Sequence, residues 1–118
     1  MDIAVLLVAL GFALMGAAAL ARPAAIGGFF DVRFDSVDGR NEVRAVYGGF
    51  GIAIAAALVI ATERAEVREG VILCVALALA GMATGRIFSA LLERPGFWPW
   101  LFCGVEAGAA GLLWWSLS

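Results

Sequence analysis

Four apolar runs constrain this chain more than any other feature. They occupy residues 3–21, 43–61, 71–92 and 100–117. At about 1.5 Å per residue, each run forms a helix long enough to cross most or all of a hydrocarbon core about 30 Å thick. With 64% hydrophobic and 15% charged residues, against roughly 45–50% and about 25% in a soluble domain, the chain has too little polar surface to fold as a globule in water. The runs predict an all-α fold, a transmembrane up-down four-helix bundle in which residues 1–118 form one integral membrane domain. Span one is read as retained: Ala19-Leu20-Ala21 has the small residues of a cleavage site, but Met1-Asp2 lacks the basic charge of a signal peptide.

The connections are polar. Arg22-Pro23 ends span one, and the linker 24–42 interleaves Phe29, Phe30, Val32 and Phe34 with Asp31, Arg33, Asp35, Asp38 and Arg40, which suits the headgroup level. Asn41 is the expected N-cap of span two. Residues 62–70 read as a charged turn that makes spans two and three antiparallel neighbours, and Glu93 to Pro99 as an aromatic turn before span four. Gly81 and Gly85, and Gly104 and Gly108, stand four apart on spans three and four, and the spacing predicts helix-packing seams there.

Composition excludes several chemistries. The eight basic residues are all Arg and face ten acids, a net charge of −2, which offers nucleic acid no basic field. With no His there is no usual haem ligand or general base, and no metal cluster, phosphate loop or nucleophile–base pair is present. No enzyme activity, metal or cofactor is expected. Cys74 and Cys103 fall near opposite faces, too far apart for a disulfide, and read as small buried hydrophobes. The spacing of Asp35, Asp38, Gly39 and Asn41 does not fit a calcium loop.

Two charges fall inside the spans, where an unpaired ion costs several kcal/mol. Arg86 in span three and Glu106 in span four lie about 9 Å from the same membrane face, so an ion pair is expected. Arg44 and Tyr47 enter span two from that face, which predicts a ligand-binding or buried polar cluster of Arg44, Tyr47, Arg86, Ser89 and Glu106. Two guanidiniums and one carboxylate would favour an anionic headgroup, a carboxylate or a quinone oxygen. The alternative role for the Arg86–Glu106 pair is to fix helix register.

The run Asn41-Glu42-Val43-Arg44-Ala45-Val46-Tyr47-Gly48-Gly49, with Gly81 to Arg86 and the Glu106-bearing fourth span, resembles a bacterial family of small four-span membrane proteins catalogued as domain of unknown function 4345, itself similar to DoxX-like membrane proteins. The resemblance covers nearly the whole chain, span one by hydropathy alone. Its most specific part is Arg44 to Gly49. Family members often carry a polar or acidic residue after the Gly-Gly, where this chain has Phe50, Gly51 and Ile52. The resemblance implies the four-span fold, a shared polar cluster and a bacterial inner membrane location, and supplies no established activity.

The expected role is an accessory or binding module that packs against a larger membrane complex or a second copy, or holds a membrane lipid or quinone-like molecule. The alternatives are a small proton-coupled transporter, although span one lacks the carboxylate that small multidrug exporters carry there, and a non-catalytic subunit of a membrane redox system. Arg22, Arg33, Arg40, Arg44 and Arg94 lie on the side of loops one and three, and Arg64 and Arg68 on the other, so loops one and three should be cytoplasmic. Membrane-impermeant thiol labelling from outside should therefore modify Glu66→Cys and spare Ser36→Cys; the reverse pattern contradicts the assignment.

Overall fold

The computed structural model describes residues 2–118; Met1, of the Met1-Asp2 pair that lacks a signal peptide's basic charge, lies outside the described residues. These residues form five helices and no strand: α1 (Ile3–Ala21), α2 (Pro23–Phe29), α3 (Val37–Glu63), α4 (Ala65–Leu92) and α5 (Phe97–Ser116). By length and composition α1, α3 and α4 can each cross a membrane. Pro99, Glu106 and the tryptophans Trp98, Trp100, Trp114 and Trp115 work against the hydropathy of α5, although Trp is at home at a membrane interface. The long helices pack in chain order, α1 on α3, α3 on α4 and α4 on α5, and α1 meets α5 over a shorter stretch.

Several boundaries move relative to the hydropathy reading because local capping and continuity outweigh charge. Loop one holds a short helix, α2, with Pro23 in its first turn, where a missing N–H costs nothing. Helix α3 starts at Val37 rather than after Asn41, because Ser36 Oγ accepts the Gly39 N–H at 2.9 Å and Asp38 sits in the positive first turn. The expected charged turn 62–70 reduces to Arg64, since Glu66, Arg68 and Glu69 are already helical. A 28-residue helix is about 42 Å long, more than a hydrocarbon core about 30 Å thick requires, so α4 has length to spare for those charged residues at its start.

The core runs along the helix axes and is thin. Val5, Val8, Ala9, Leu58, Ile72, Val75, Ala76, Leu79 and Leu113 form one buried cluster. The outer surface is equally apolar, with Leu6, Leu10, Leu14, Phe88, Leu91 and Trp115 exposed. Helices apolar on all sides suit lipid and leave close packing, rather than water exclusion, to hold them together.

That packing comes from glycines other than those expected. A Cβ on Gly81, Gly85, Gly104 or Gly108 would meet nothing within 4 Å, so these four form no seam inside the chain. They face outward because Arg86, Cys103 and Glu106, rather than the glycines, occupy the α4–α5 contact. The seam lies between α1 and α3: a Cβ on Gly16 would stand 2.8 Å from the Gly48 carbonyl oxygen and 2.9 Å from the Ile52 nitrogen, and one on Gly51 would stand 3.0 Å from the Phe12 carbonyl oxygen. Backbones this close exclude any side chain.

Beside it, residues 44–49 form a π-helical turn, in which the Phe50 N–H reaches the Ala45 carbonyl five residues back. Arg44 Nε donates to the Leu20 carbonyl at 3.1 Å, satisfying an orphan acceptor at the C-terminus of α1. Both cysteines are free; Cys103 is buried, while Cys74 is exposed on the outer face of α4, contrary to the expectation that both are buried.

At the opposite end Arg68 ties three segments, donating through Nε and Nη2 to the Asp2 carboxylate and through Nη2 to the Ser116 carbonyl at 3.0 Å. The Arg68 hydrogen bonds hold the Asp2 carboxyl below its ordinary 3.8. A depressed acid stabilises the fold above its unfolded pKa, and that contribution disappears as pH falls through the lowered value. Acid titration of thermal stability should therefore show a limb below about pH 4 that Asp2→Asn weakens.

Gly16→Val, which must push two backbones apart, should cost at least about 1–3 kcal/mol in detergent melts. Gly108→Ala, placed in open space, should be neutral or stabilising by up to about 1 kcal/mol. Equal losses would place the tight seam elsewhere.

Candidate functional site

Arg86 and Glu106 lie on the faces of α4 and α5 that meet, and the structure brings them together. Arg86 Nε donates to Glu106 Oε1 at 2.6 Å and Nη2 to Oε2 at 3.0 Å, the parallel two-bond geometry a guanidinium offers a carboxylate. Glu106 is 7% exposed, the one buried charged residue among the described residues, and the Arg86 side chain is 26% exposed. One turn away Cys103 Sγ donates to the Ala83 carbonyl at 3.6 Å, a second polar tie between the same helices.

The guanidinium is covered by aromatic rings. Its carbon lies 5.9 Å from the centre of Phe30 and 5.6 Å from that of Phe102, within range of cation–π attraction. Phe30 stacks on Tyr47 at 6.5 Å and packs on Phe102 at 5.3 Å; Phe29 meets Trp98 edge-on at 4.9 Å. Loop one makes this cap possible. Asp31 adopts a left-handed backbone (φ 57), the Val32 N–H returns to the Gly27 carbonyl at 2.9 Å, and Gly27 packs against Val32 and Phe34 with no space for a side chain. The turn folds Phe29 and Phe30 back over the ends of α4 and α5.

Of the five residues expected to cluster, the structure assembles three. Tyr47 joins Arg86 and Glu106 at one remove, stacked on the Phe30 ring that covers the guanidinium. Arg44 turns away to the end of α1, because the Leu20 carbonyl there lacks a helical partner. Ser89 is exposed one turn beyond Arg86, and its carbonyl accepts the Glu93 N–H as α4 ends. The net positive pocket therefore does not form; the pair is neutral, and the Arg86 charge is spent on Glu106 and the rings. Phe30 and Phe102 were not expected at the site. Phe102 is legible in retrospect, one helical turn before Glu106, whereas Phe30 arrives through a loop turn that no periodicity signals.

Glu106 also borders a crevice of about 510 Å³ between α1 and α5, walled by Gly11, Phe12, Met15, Gly104, Gly108 and Leu112 and backed by Leu79 and Met82 of α4. No other charged residue lines it among the described residues. The outward glycines thus have a structural consequence: without side chains at Gly11, Gly104 and Gly108 the two helices leave a furrow open to the surroundings. A second cavity of about 630 Å³, which shares Leu7 and Leu112, continues it to Asp2 and Arg68.

The family model described as domain of unknown function DUF4345 matches residues 1–117. The chain belongs to the DUF4345 family. No curated protein and no solved structure matches it. In this DUF4345 protein the segment Arg44 to Gly49 coincides with the π turn that caps α1, seats Gly48 against Leu20 and carries Tyr47.

Breaking one side of the ion pair should cost more than removing it. In detergent melts Glu106→Leu and Arg86→Met are each expected to lose about 3–5 kcal/mol, and the double variant clearly less than their sum. Arg44→Gln combined with Glu106→Leu should be additive; coupling there would return Arg44 to the cluster.

Proposed function

We propose that this protein is a non-catalytic binding module of a bacterial inner membrane, an up-down four-helix bundle of DoxX-like type with α1, α3, α4 and α5 all spanning the bilayer and loops one and three in the cytoplasm. In this reading Trp98 and Trp100 at one end of α5, and Trp114 and Trp115 at the other, mark the two interfaces of the fourth span, all four being exposed. The connection through Arg64 alone, and the short one between Leu92 and Phe97, support antiparallel neighbours.

Its cargo is a single chain-bearing amphiphile, lipid- or quinone-like, with the apolar chain in the α1–α5 crevice and the head at Glu106. The observation that carries this reading is the coincidence of two features: the one buried carboxylate among the described residues borders the apolar crevice. The volume of about 510 Å³ is in the range of small-molecule sites, which combine apolar walls with a few placed polar groups.

A second reading has its own support. Gly81 and Gly85 present a side-chain-free patch on α4 outside the crevice, where a helix of a larger membrane complex or of another copy can approach closely.

Native mass spectrometry of protein released from lipid nanodiscs tests the cargo. One chain-bearing molecule per chain should be enriched over the bulk lipid, and Gly108→Phe, which fills the crevice from an open position, should abolish it. Retention unchanged in Gly108→Phe contradicts the assignment.

A further inference from the structure

The crevice does not present the ion pair evenly. Glu106 lines it and Arg86 does not: the guanidinium faces Phe30 and Phe102, and its Nε and Nη2 are committed to the carboxylate. Glu106 is therefore the charged residue that a molecule lying between α1 and α5 meets among the described residues, and no arginine is in the wall to supply a charged donor. A carboxylate offers about four lone-pair sites, and Arg86 takes one on each oxygen, so Glu106 keeps capacity for a further hydrogen bond.

Charge narrows the class further. The Arg86–Glu106 pair is neutral overall, so an ammonium, a carboxylate or a phosphate head would each add an uncompensated charge beside an apolar furrow. A ketone or quinone oxygen would bring an acceptor to an acceptor. A neutral hydroxyl avoids both penalties and supplies the donor.

We propose that the α1–α5 crevice selects amphiphiles whose apolar chain ends in a neutral hydroxyl or phenolic O–H, the donor going to Glu106. Among redox lipids this means the quinol rather than the quinone form. The proposal rests on the cargo reading above and adds the chemistry of the head. It also replaces the preference for anionic heads and quinone oxygens expected from a pocket holding both Arg44 and Arg86, because neither guanidinium faces the crevice.

A competition between molecules matched in chain tests it. The purified protein is loaded in one micelle preparation with equimolar hexadecanol, its methyl ether and hexadecanoic acid, and bound species are counted by native mass spectrometry. A hydrogen bond to a charged acceptor corresponds to about tenfold or more in affinity, so the alcohol should outcompete the ether by at least about tenfold. In Glu106→Leu/Arg86→Met, which removes acceptor and counter-charge together, the preference should vanish while chain binding remains. Equal occupancy by alcohol and ether in the wild-type protein, or dominance of the acid, overturns the donor proposal and leaves the crevice reading standing. Occupancy by all three that persists in Gly108→Phe, or by none in the wild-type protein, overturns the crevice reading as well.

Discussion

An arginine and a glutamate facing each other inside an apolar chain set the terms for the rest of the structure. Neither Arg86 nor Glu106 tolerates hydrocarbon alone, and the fork of two hydrogen bonds between them is satisfied in only one register of α4 against α5. Leucines and alanines could slide past one another at little cost; these two residues cannot. The neighbouring Cys103 to Ala83 contact acts in the same register.

The second constraint is steric and acts on the other half of the molecule. Gly16, Gly48 and Gly51 let α1 and α3 touch backbone to backbone, and the π turn with Arg44 on the Leu20 carbonyl ties the end of α1 to that contact. One helix pair is thus held by electrostatics and the other by close approach. Between them α1 and α5 meet loosely, and the crevice is what remains open. The binding proposal follows from this asymmetry.

Hydropathy made the long helices legible, since a run of apolar residues as long as a bilayer is thick has few other uses. The Arg86–Glu106 pair was legible for a related reason: matched depth on antiparallel neighbours is simple arithmetic on rise per residue. What stayed hidden depended on direction around a helix axis. The spacing of Gly81 and Gly85, or of Gly104 and Gly108, places them on one face without saying which face is inward, and the charged contact took the inward position. Arg44 was misassigned because an unsatisfied carbonyl at the end of α1 attracts a guanidinium as effectively as a carboxylate does, and chain order does not reveal that Leu20 lies beside it. Phe30 reaches Arg86 only through the left-handed turn at Asp31, a backbone conformation no apolar pattern encodes.

Arg86 and Glu106 are joined directly, and this contact should survive in a bilayer. Solid-state NMR of protein in lipid, with nitrogen-15 in the arginine side chains and carbon-13 in the glutamate carboxyls, measures it through dipolar coupling. A strong guanidinium–carboxyl contact that disappears in Arg86→Met is expected, with an ionised carboxylate shift for Glu106. A protonated Glu106, or a spectrum unchanged by Arg86→Met, would contradict it.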